Sequence, residues 1–366
     1  MRIYLVGGAV RDLLMNREPK DRDYVAVGAT PQQLLDLGYE QVGASFPVFL
    51  HPVTRDEYAL ARTETKNGDG YHGFLVDFHP KITLEDDLAR RDLTINSIAY
   101  DEVEDVYIDP YGGIRDLKER TLRHTSDAFA DDPLRVIRLA RFAARFESFT
   151  VDDRTMLLCE RLVQKGELNH LPYERHAAEI AKVFDTCTPK GVETFFDILR
   201  FLKVDEHVNF YRGANMKWLQ RMAKVAACVG GSAAVTLFAA LSKGNIGFIV
   251  QTGGADAVKL HHLITKVRVE APADRAEFAH DLLREAGAFQ AGNKLFHLFE
   301  QALVIGHMAG EWYSFSAREL AAAAALTQPV AENLARLLVA QGLEGKAIGD
   351  GIKQDRIRLL KQLFPT

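Results

Sequence analysis

The pattern of hydrophobic positions along the 366-residue chain changes once. Residues 1–125 alternate short β-branched and apolar runs, such as IYLV, YVAV and EYALAR, with helical segments and turns rich in Gly, Pro and Asp. This pattern predicts a mixed α/β domain. From Asp131 onward, apolar residues recur at helical spacing and predict helices over 131–146, 153–164, 172–185 and 190–203. We therefore predict an α+β protein in which an α/β head is followed by an all-helical second half.

Composition and charge narrow the classes of protein that fit. Hydrophobic residues make up 47% of the chain, enough to bury large cores. The formal net charge is −5, so a nucleic-acid surface must be a local concentration of Lys and Arg. Three cysteines far apart in the sequence argue against a disulfide framework or a zinc site. No signal peptide is evident, and the apolar stretch 225–241 is too short for a membrane span, so we predict a cytoplasmic protein.

Two acidic residues, Asp21 and Asp23, lie at the start of the β-branched run in KDRDYVAVG. Side chains alternate along a strand, so the two carboxylates are expected on one face, with Arg22 on the other. Paired carboxylates suit hard divalent cations, which prefer oxygen ligands and keep waters for a substrate's phosphates. We predict a Mg²⁺ site here. Taken alone, the Asp-x-Asp pattern also fits a surface turn or an ion pair.

Upstream of these acids, LVGGAVRD predicts a strand that runs through Gly7 and Gly8 into a helix. Glycines let backbone amides approach a ligand closely, and a helix N-terminus carries a partial positive charge that suits phosphate. Arg11 follows one turn later. Together with the acid-bearing strand, this arrangement would place a triphosphate beside its metal ions.

The ordered combination resembles the nucleotidyltransferase superfamily to which DNA polymerase β belongs, although many members have an apolar residue at the position of Arg22. Downstream, LEDDLARRDLTINSIAYD, IDPYGGIRDL and DDPLRVIRLARFAARF look like the successive motifs of class II tRNA nucleotidyltransferases, the bacterial CCA-adding enzymes. The resemblance is dense over residues 1–150 and looser to about 205. It implies a catalytic head at 1–125, a helical neck with a base-reading helix at 126–205, and a tRNA-binding body and tail at 206–366.

The motif RRDLTIN is predicted to lie at the start of a helix. A capped, salt-bridged helix is one interpretation of these residues. In the family, however, the arginine that matches Arg91 contacts the incoming nucleotide, and a guanidinium suits phosphate oxygens. The resemblance therefore adds Arg91 to Gly8 and Arg11 as a nucleotide-binding residue. In IDPYGGIRDL, Asp109 is expected to be structural.

The motif DDPLRVIRLAR predicts a helix beginning near Pro133 with arginines in an i, i+3 row. An amphipathic helix with a solvated basic stripe is the simpler interpretation. The resemblance instead implies that Asp132 and Arg135 read the base, while Arg138 and Arg141 lie toward the phosphate or sugar. A carboxylate only accepts and a guanidinium only donates, so the pair matches the amino group and ring acceptor of cytosine or adenine. CTP and ATP would then be selected without a template.

The resemblance also implies nucleotidyl transfer by two Mg²⁺ ions, held by Asp21 and Asp23, with release of pyrophosphate. Superfamily members often use a third carboxylate on a neighbouring strand. Glu57 is the candidate here, and a sheet-edge ion pair is its alternative role. Residues 63–80 contain three glycines and predict a mobile loop. In the family such a loop helps the pocket change from CTP to ATP, which favours full CCA addition.

Two features of the second half bear on function. In TLFAALSKGN, Ala239 and Ala240 stand where some relatives carry the His-Asp pair of a metal-dependent phosphohydrolase. Alanine cannot bind a metal, so we predict a degenerate remnant without this activity. The last predicted helix carries Lys353, Arg356, Arg358 and Lys361, which could follow an RNA backbone or form a solvated surface. Recognition would be of tRNA shape, because A-form grooves offer side chains little sequence to read.

Several alternatives stay open from the sequence. The chain could add only CC or only A, or it could be a related poly(A) polymerase, although those chains usually carry extra basic termini. A small-molecule nucleotidyltransferase would lack the Asp132/Arg135 motif. A catalytically inactive RNA-binding relic is the alternative outside the enzymes, and the retained acids at 21 and 23 argue against it. No obligate protein partner is evident.

Overall fold

A computed structural model of the chain describes residues 1–42, 48–66, 74–211, 220, 236–237, 239–240, 246–268, 274–289, 293–308, 313–327 and 330–364. The chain divides into two compact units. The first consists of Met1–Glu179 and Asp197–Asn209, and the second of Ile180–Phe196 and Phe210–Thr366. A mixed sheet lies in the first unit, and the second is helical in its described residues. The predicted α+β fold is confirmed. The division at 1–125, 126–205 and 206–366 stays a prediction.

A seven-stranded mixed sheet forms the centre of the first unit. Its strand order is β3-β4-β5-β2-β1-β8-β9, with bounds Arg2–Val6 (β1), Asp23–Val27 (β2), Glu40–Val42 (β3), Val48–Leu50 (β4), Glu57–Leu60 (β5), Ala99–Asp101 (β8) and Val106–Ile108 (β9). Strands β2 and β5 are parallel, and the other neighbours in this sheet are antiparallel. The register places Asp23 opposite Val6 on β1 and opposite Glu57 on β5.

Two smaller strand pairs accompany this sheet. Thr63–Lys66 (β6) and Phe74–Asp77 (β7) form an antiparallel hairpin, and Thr121–Leu122 (β10) runs parallel to Thr150–Val151 (β11). The hairpin takes up much of the segment 63–80 that the sequence analysis assigned to a mobile loop. Residues 67–73, the centre of that prediction, lie outside the described residues.

Nine helices of the described chain begin before residue 210, and their bounds follow the chain order. They are Gly8–Leu14 (α1), Pro31–Asp36 (α2), Leu84–Ala89 (α3), Gly113–Glu119 (α4), Leu134–Arg145 (α5), Asp153–Gln164 (α6), Tyr173–Thr186 (α7), Pro189–Phe201 (α8) and Val204–His207 (α9). Helices α5 to α8 match the four helices predicted from apolar spacing to within about three residues at each end.

The described helices further along the chain belong to the second unit. They are Ile246–Val267 (α10), Arg275–Glu285 (α11), Lys294–Met308 (α12), Ala317–Thr327 (α13), Val330–Ala340 (α14) and Lys346–Leu363 (α15). Helix α10 is interrupted at Gly254, where φ is +69°. Ala239 and Ala240 are fully buried, and neither has a side-chain atom that could ligate a metal.

Alternation along the strands gives the sheet two apolar faces. Tyr24 and Ala26 of β2 pack with α1 and α2, which contribute Val10 and Leu34 to the same cluster. Val25, between them, belongs to the opposite face, where it packs in a cluster with Leu88 of α3. Burial on both faces fixes the register of β2, because a one-residue slip would exchange the two sets. The position of Asp23 is therefore set by the core beneath it.

Local signals explain where several elements begin. In TPQQLLDLG, Thr30 followed three residues later by Gln33 predicts a capping box at the start of a helix. The structure confirms it at α2: the side chain of Thr30 accepts the backbone N–H of Gln33, and the Gln33 side chain accepts the backbone N–H of Thr30. Asp109 accepts the N–H groups of Gly113 and Ile114 at 2.7 and 2.9 Å, and so caps α4. This geometry fits the structural role expected for Asp109.

Two local expectations are corrected by the structure. The RRD motif does not begin a helix: Arg90 is the C-terminal cap of α3, and Asn96 lies in the short 3₁₀ turn Thr94–Asn96. Asp21 is not on a strand, because β2 begins at Asp23. The two acids therefore do not share a strand face by alternation.

Candidate active site

A cavity of about 400 Å³ opens in the first unit beside the Gly-Gly turn. Its described lining is strongly charged, with seven arginines and three aspartates: Arg11, Arg62, Arg90, Arg91, Arg135, Arg138, Arg175, Asp23, Asp92 and Asp132. In a chain of net charge −5, this is a local concentration of positive charge. Such a pocket favours a ligand with several negative charges.

The cavity brings together seven of the ten residues that the sequence analysis selected, namely Gly8, Arg11, Asp23, Arg91, Asp132, Arg135 and Arg138. Asp21, Glu57 and Arg141 are not among the described residues that line it. A second cavity, of about 310 Å³, is lined by Glu57 and shares Asp23, Arg62, Arg90 and Arg91 with the first. Asp23 and three arginines thus border both cavities.

The turn at Gly7 requires glycine for two reasons. Its φ of +72° lies in the left-handed region, which side-chain-bearing residues rarely adopt. A Cβ built on Gly7 would also lie 2.8 Å from the Arg91 Nη1 atom. The missing side chain therefore makes room for the guanidinium at the mouth of helix α1.

The acidic residues on this side of the sheet interact electrostatically. Burial raises the pKa of Asp23, the Arg91 guanidinium opposes that rise, and the charge of Asp21 adds to it. Glu57 lies on the adjacent parallel strand, in register with Asp23. A buried carboxylate whose pKa is raised would be stabilised in its charged form by a nearby cation, and its oxygen atoms fit a hard divalent cation. In the described part of the chain, no group of three His, Cys, Asp or Glu side chains is arranged to hold a metal.

Arg11 is fixed by contacts on several sides. The side chain is buried, and it donates to Asn96 Oδ1 at 2.5 Å and to Asp12 Oδ1 at 2.8 and 2.9 Å. Its guanidinium also lies 5.7 and 5.3 Å from the ring centroids of Phe142 and Phe146. These contacts hold Arg11 in one orientation beside Gly8.

Arg138 is held by a buried carboxylate that the sequence analysis did not select. Asp92 accepts Arg138 Nε at 2.9 Å and Nη2 at 2.6 Å, and it also accepts the Asn96 side-chain amide at 2.9 Å. Burial alone would raise the pKa of Asp92, but Arg138 and the hydrogen bonds from Asn96 and Leu93 hold it well below its usual range. Asp92 therefore joins the Gly-Gly side of the cavity, through Asn96 and Arg11, to helix α5.

The two residues expected to read the base, Asp132 and Arg135, have different side-chain partners in the structure. Asp132 forms a two-pronged ion pair with Arg175 of α7, at 3.2 and 3.0 Å, and it accepts the backbone N–H of Leu134. Arg135 instead donates to the backbone carbonyls of Ala128 and Arg90. Both side chains still line the cavity. Arg175 is a lining residue that the sequence analysis missed.

Arg141 lies in a buried ion pair. Its Nε donates to Glu179 Oε2 at 2.6 Å, and both side chains are less than 10% exposed. The guanidinium packs 4.5 Å from the ring centroid of Phe142, which does line the cavity. This geometry ties α5 to α7 and does not place Arg141 at the described cavity surface, where contact with phosphate or sugar was expected.

A second buried acid, Asp87, binds the side chains of Arg90 and Arg91, two of the three arginines that border both cavities. It is fully buried and accepts Arg90 at 2.7 and 3.1 Å and Arg91 at 3.1 Å. The sequence contains a signal for it, because Asp87 precedes Arg90 and Arg91 by three and four residues, the spacing of helical ion pairs. Asp92 had no comparable signal: its partner Arg138 lies 46 residues away.

Comparisons with known proteins agree with this arrangement. Residues 3–123 match the family model of the Poly A polymerase head domain. The Multifunctional CCA protein of Actinobacillus pleuropneumoniae serotype 5b is 58% identical over 202 residues, 55% of this chain and 48% of that protein. The Multifunctional CCA protein of Mannheimia succiniciproducens is 58% identical over 201 residues, 54% of this chain and 47% of that protein. In these matched regions the chain is similar to CCA-adding nucleotidyltransferases.

Solved structures share the fold of this chain over most of its length. A CCA-adding enzyme in apo form II superposes with a TM-score of 0.68 at 22% identity, covering 98% of this chain and 87% of that one. A tRNA nucleotidyltransferase complexed with a primer tRNA and an incoming ATP analog superposes with a TM-score of 0.60 at 21% identity, covering 84% and 93%. At this identity the likeness concerns the fold alone.

The sequence match has a defined extent. The chain spans about half the length of the curated relatives it matches. The nucleotidyltransferase superfamily that includes the CCA-adding enzymes generally uses divalent metal ions. No helix among the described residues is long and apolar enough to cross a membrane.

Proposed function

We propose that this chain is a CCA tRNA nucleotidyltransferase, which adds CCA to the 3′ end of tRNA from CTP and ATP without a template. The observation that carries the proposal is the arginine-lined cavity, bordered by Asp23, in a chain 58% identical over 202 residues to multifunctional CCA proteins. A nucleoside triphosphate has the size and negative charge that such a pocket accommodates. The partners proposed are tRNA, CTP and ATP, in the cytoplasm.

The proposed division of labour follows the three-part organisation expected from the sequence. The head, 1–125, holds the triphosphate against the Gly-Gly turn with Gly8, Arg11 and Arg91. The neck, 126–205, contributes the α5 residues that face the cavity. The body and tail, 206–366, bind tRNA and include the degenerate phosphohydrolase-like region, for which we propose no hydrolase activity.

We assign the metal site to Asp21 and Asp23, with Glu57 as the third carboxylate. Support comes from the raised pKa of Asp23, to which Asp21 contributes, and from the register that sets Glu57 beside Asp23. The proposed ion is Mg²⁺, which carboxylate oxygens suit. When bound, it would lower the pKa of the primer's 3′-hydroxyl and neutralise charge on the departing pyrophosphate.

The chain's own residues account for orientation. In the transfer, the 3′-oxygen of the primer forms a bond to the α-phosphorus, and the bond from that phosphorus to the bridging oxygen breaks. Arg11 and Arg138 are held by buried hydrogen bonds, so they meet the phosphates already ordered. Ordering the cationic groups before binding lowers the entropic cost of reaching the reactive geometry.

Base selection is assigned to Asp132 and Arg135. A carboxylate has about four acceptor positions, so the ion pair with Arg175 leaves Asp132 able to accept the amino group of cytosine or adenine. Guanine O6 and uracil O4 are themselves acceptors and would be repelled by this carboxylate. Arg141 is proposed to act indirectly, by fixing α5 through its ion pair with Glu179.

The test offers the purified chain three tRNA substrates, which end before C74, before C75 and before A76, each with CTP, ATP or both. Full CCA addition predicts extension of all three to the same final length, with Mg²⁺ required. Product lengths separate this outcome from CC-only, A-only and poly(A) activity. No extension of any substrate would overturn the proposal and favour an RNA-binding protein without catalysis.

A further inference from the structure

Asp87 binds two arginines that line both cavities of the first unit. It is fully buried in helix α3, and the side chains it binds, Arg90 and Arg91, line both cavities. The family resemblance gave Asp87 no role, and none of the steps described above uses it. A buried carboxylate is costly unless it is paired, so its partners define what it does.

Each oxygen of Asp87 has a different arginine as its partner. Oδ1 accepts Arg90 Nε at 3.1 Å and Nη2 at 2.7 Å, whereas Oδ2 accepts Arg91 Nη2 at 3.1 Å. Oδ1 also accepts the backbone N–H of Arg62 at 3.3 Å, at the residue just before strand β6. One carboxylate thus fixes two guanidiniums and the backbone of a third lining residue. Burial by itself would raise the pKa of Asp87, but Arg91 and Arg90 hold it below its usual value.

The two arginines that Asp87 holds reach different parts of the site. Arg91 extends to Gly7, where its Nη1 fills the space that a side chain would need, and it lowers the pKa of Asp23. The backbone carbonyl of Arg90 accepts the Arg135 guanidinium from helix α5. Asp87 is therefore linked to the acid-bearing strand through Arg91 and to the proposed base-reading residue through Arg90.

We propose that Asp87 is a positioning residue for nucleotidyl transfer, which orients Arg90 and Arg91 in the two cavities that they line and so toward a bound nucleoside triphosphate. This inference rests on the proposed function. The proposal predicts different effects on triphosphate binding and on the rate of transfer. Removing the Asp87 charge makes the cavity more positive, which favours triphosphate binding, but it also releases the two guanidiniums from their reactive orientation.

The test measures tRNA extension by Asp87→Asn and by the wild-type chain. For each protein, kcat is divided by the number of sites that bind ATP. Asn keeps the shape and the acceptor for the Arg62 N–H but loses the charge. We expect kcat to fall about tenfold to a hundredfold, while KM for CTP and for ATP stays the same or decreases. A purely structural role would reduce the number of binding sites and leave kcat per site unchanged. A kcat per site within threefold of wild type, or a loss confined to KM, would overturn the proposal.

Asp86→Asn is the matched control, because it makes the same charge change at the next residue. Asp86 is exposed and bonds to Thr83 at the start of α3, away from the arginines. We expect its kcat to stay within about threefold of wild type, and an equal loss in both variants would overturn the proposal. If Asp87→Asn does not fold, Asp87→Glu takes its place: it keeps the charge, displaces the oxygens, and is expected to lower kcat with unchanged KM.

ATP titration keeps this inference separable from the proposed function. Wild-type protein that extends no tRNA defeats the proposed function, whatever the variants do. The positioning role is then judged by ATP affinity, which Asp87→Asn is expected to retain or increase. Weaker ATP binding by that variant would overturn the role of Asp87 independently of catalysis.

Discussion

The basic residues of the two units are held by acids in different surroundings. Around the cavity of the first unit, arginines bind Asp87, Asp92 and Glu179, whose side chains are between 0 and 7% exposed. On α15 of the second unit, Lys353, Arg358 and Lys361 pair with acids that are 27 to 53% exposed. An exposed ion pair gains little, because water competes with it, whereas a buried acid makes its partner's position costly to change.

This difference shows that a row of basic residues in a sequence does not by itself predict whether their side chains bind a ligand or form ion pairs. The row on α15 was expected to contact RNA phosphate, and that assignment stays a prediction. In the structure three of its members are in ion pairs, and Arg356 is buried 3.7 Å from the ring centroid of Phe289, with a hydrogen bond to the Thr327 carbonyl. In the cavity, by contrast, guanidiniums bound to buried acids still face open space.

The largest expected effect comes from the acid that the fixed arginines face. Asp23→Asn should reduce tRNA extension by at least about 10³-fold, because one of the proposed metal-binding carboxylates is lost. Binding of tRNA, measured by gel shift, should change less than about twofold. The thermal unfolding midpoint serves as the folding control. Extension within tenfold of wild type would show that Asp23 does not hold the metal.

A smaller effect, on stability, is expected at the buried acid Asp92. Asp92→Asn should lower the free energy of unfolding of the first unit by about 2–4 kcal/mol near pH 7, because Arg138 loses its buried partner. The pKa of Asp92 is depressed in the folded chain, so its contribution is present above the unfolded value of about 3.9 and is lost as pH falls through the folded value.

The measurement is urea unfolding of both proteins between pH 3 and 7. The difference between wild type and Asp92→Asn should be constant from pH 5 to 7 and should shrink below about pH 4. A difference that grows as the pH falls would contradict the assignment of Arg138 as the partner that stabilises ionised Asp92.

The smallest effect is expected on the exposed row of the second unit. Lys353 and Glu277 lie 3.3 Å apart, with side chains 33% and 53% exposed. Lys353→Met keeps most of the aliphatic stem, so unfolding free energy should change by less than about 1 kcal/mol. Differential scanning calorimetry at low and moderate salt checks this. A loss comparable to that of Asp92→Asn would remove the distinction between buried and exposed partners.

The fold followed from the sequence where one local rule acted alone. Apolar spacing predicted helices α5 to α8, and the Thr30 capping box predicted α2. The prediction that the RRD motif begins a helix was wrong, because its arginines follow the end of α3. The acidic residues just before them belong to the first turn of α3 and resemble the start of a helix. The prediction that Asp21 lies on a strand was wrong, because the strand formed by the β-branched run begins only at Asp23.

The residues that line the candidate site were more predictable from the sequence than the ion pairs that join them. Residue types, their order and the family resemblance together predict seven of the cavity-lining residues. The partners were not legible, because Asp132 with Arg175 and Asp92 with Arg138 are pairs 43 and 46 residues apart. Periodicity reports neighbours within an element, whereas these contacts arise only when α5 and α7 pack against the sheet domain.

The bend at Gly7 has a consequence for how this site can vary. The space that a methyl group would need at residue 7 is already occupied by a guanidinium from residue 91, more than eighty positions later in the chain. A substitution at residue 7 therefore depends on which side chain is present at residue 91. A larger residue at the bend would need a shorter side chain at position 91 and would still strain the backbone at its positive φ, and shortening the arginine removes the cation which the bend leaves room for.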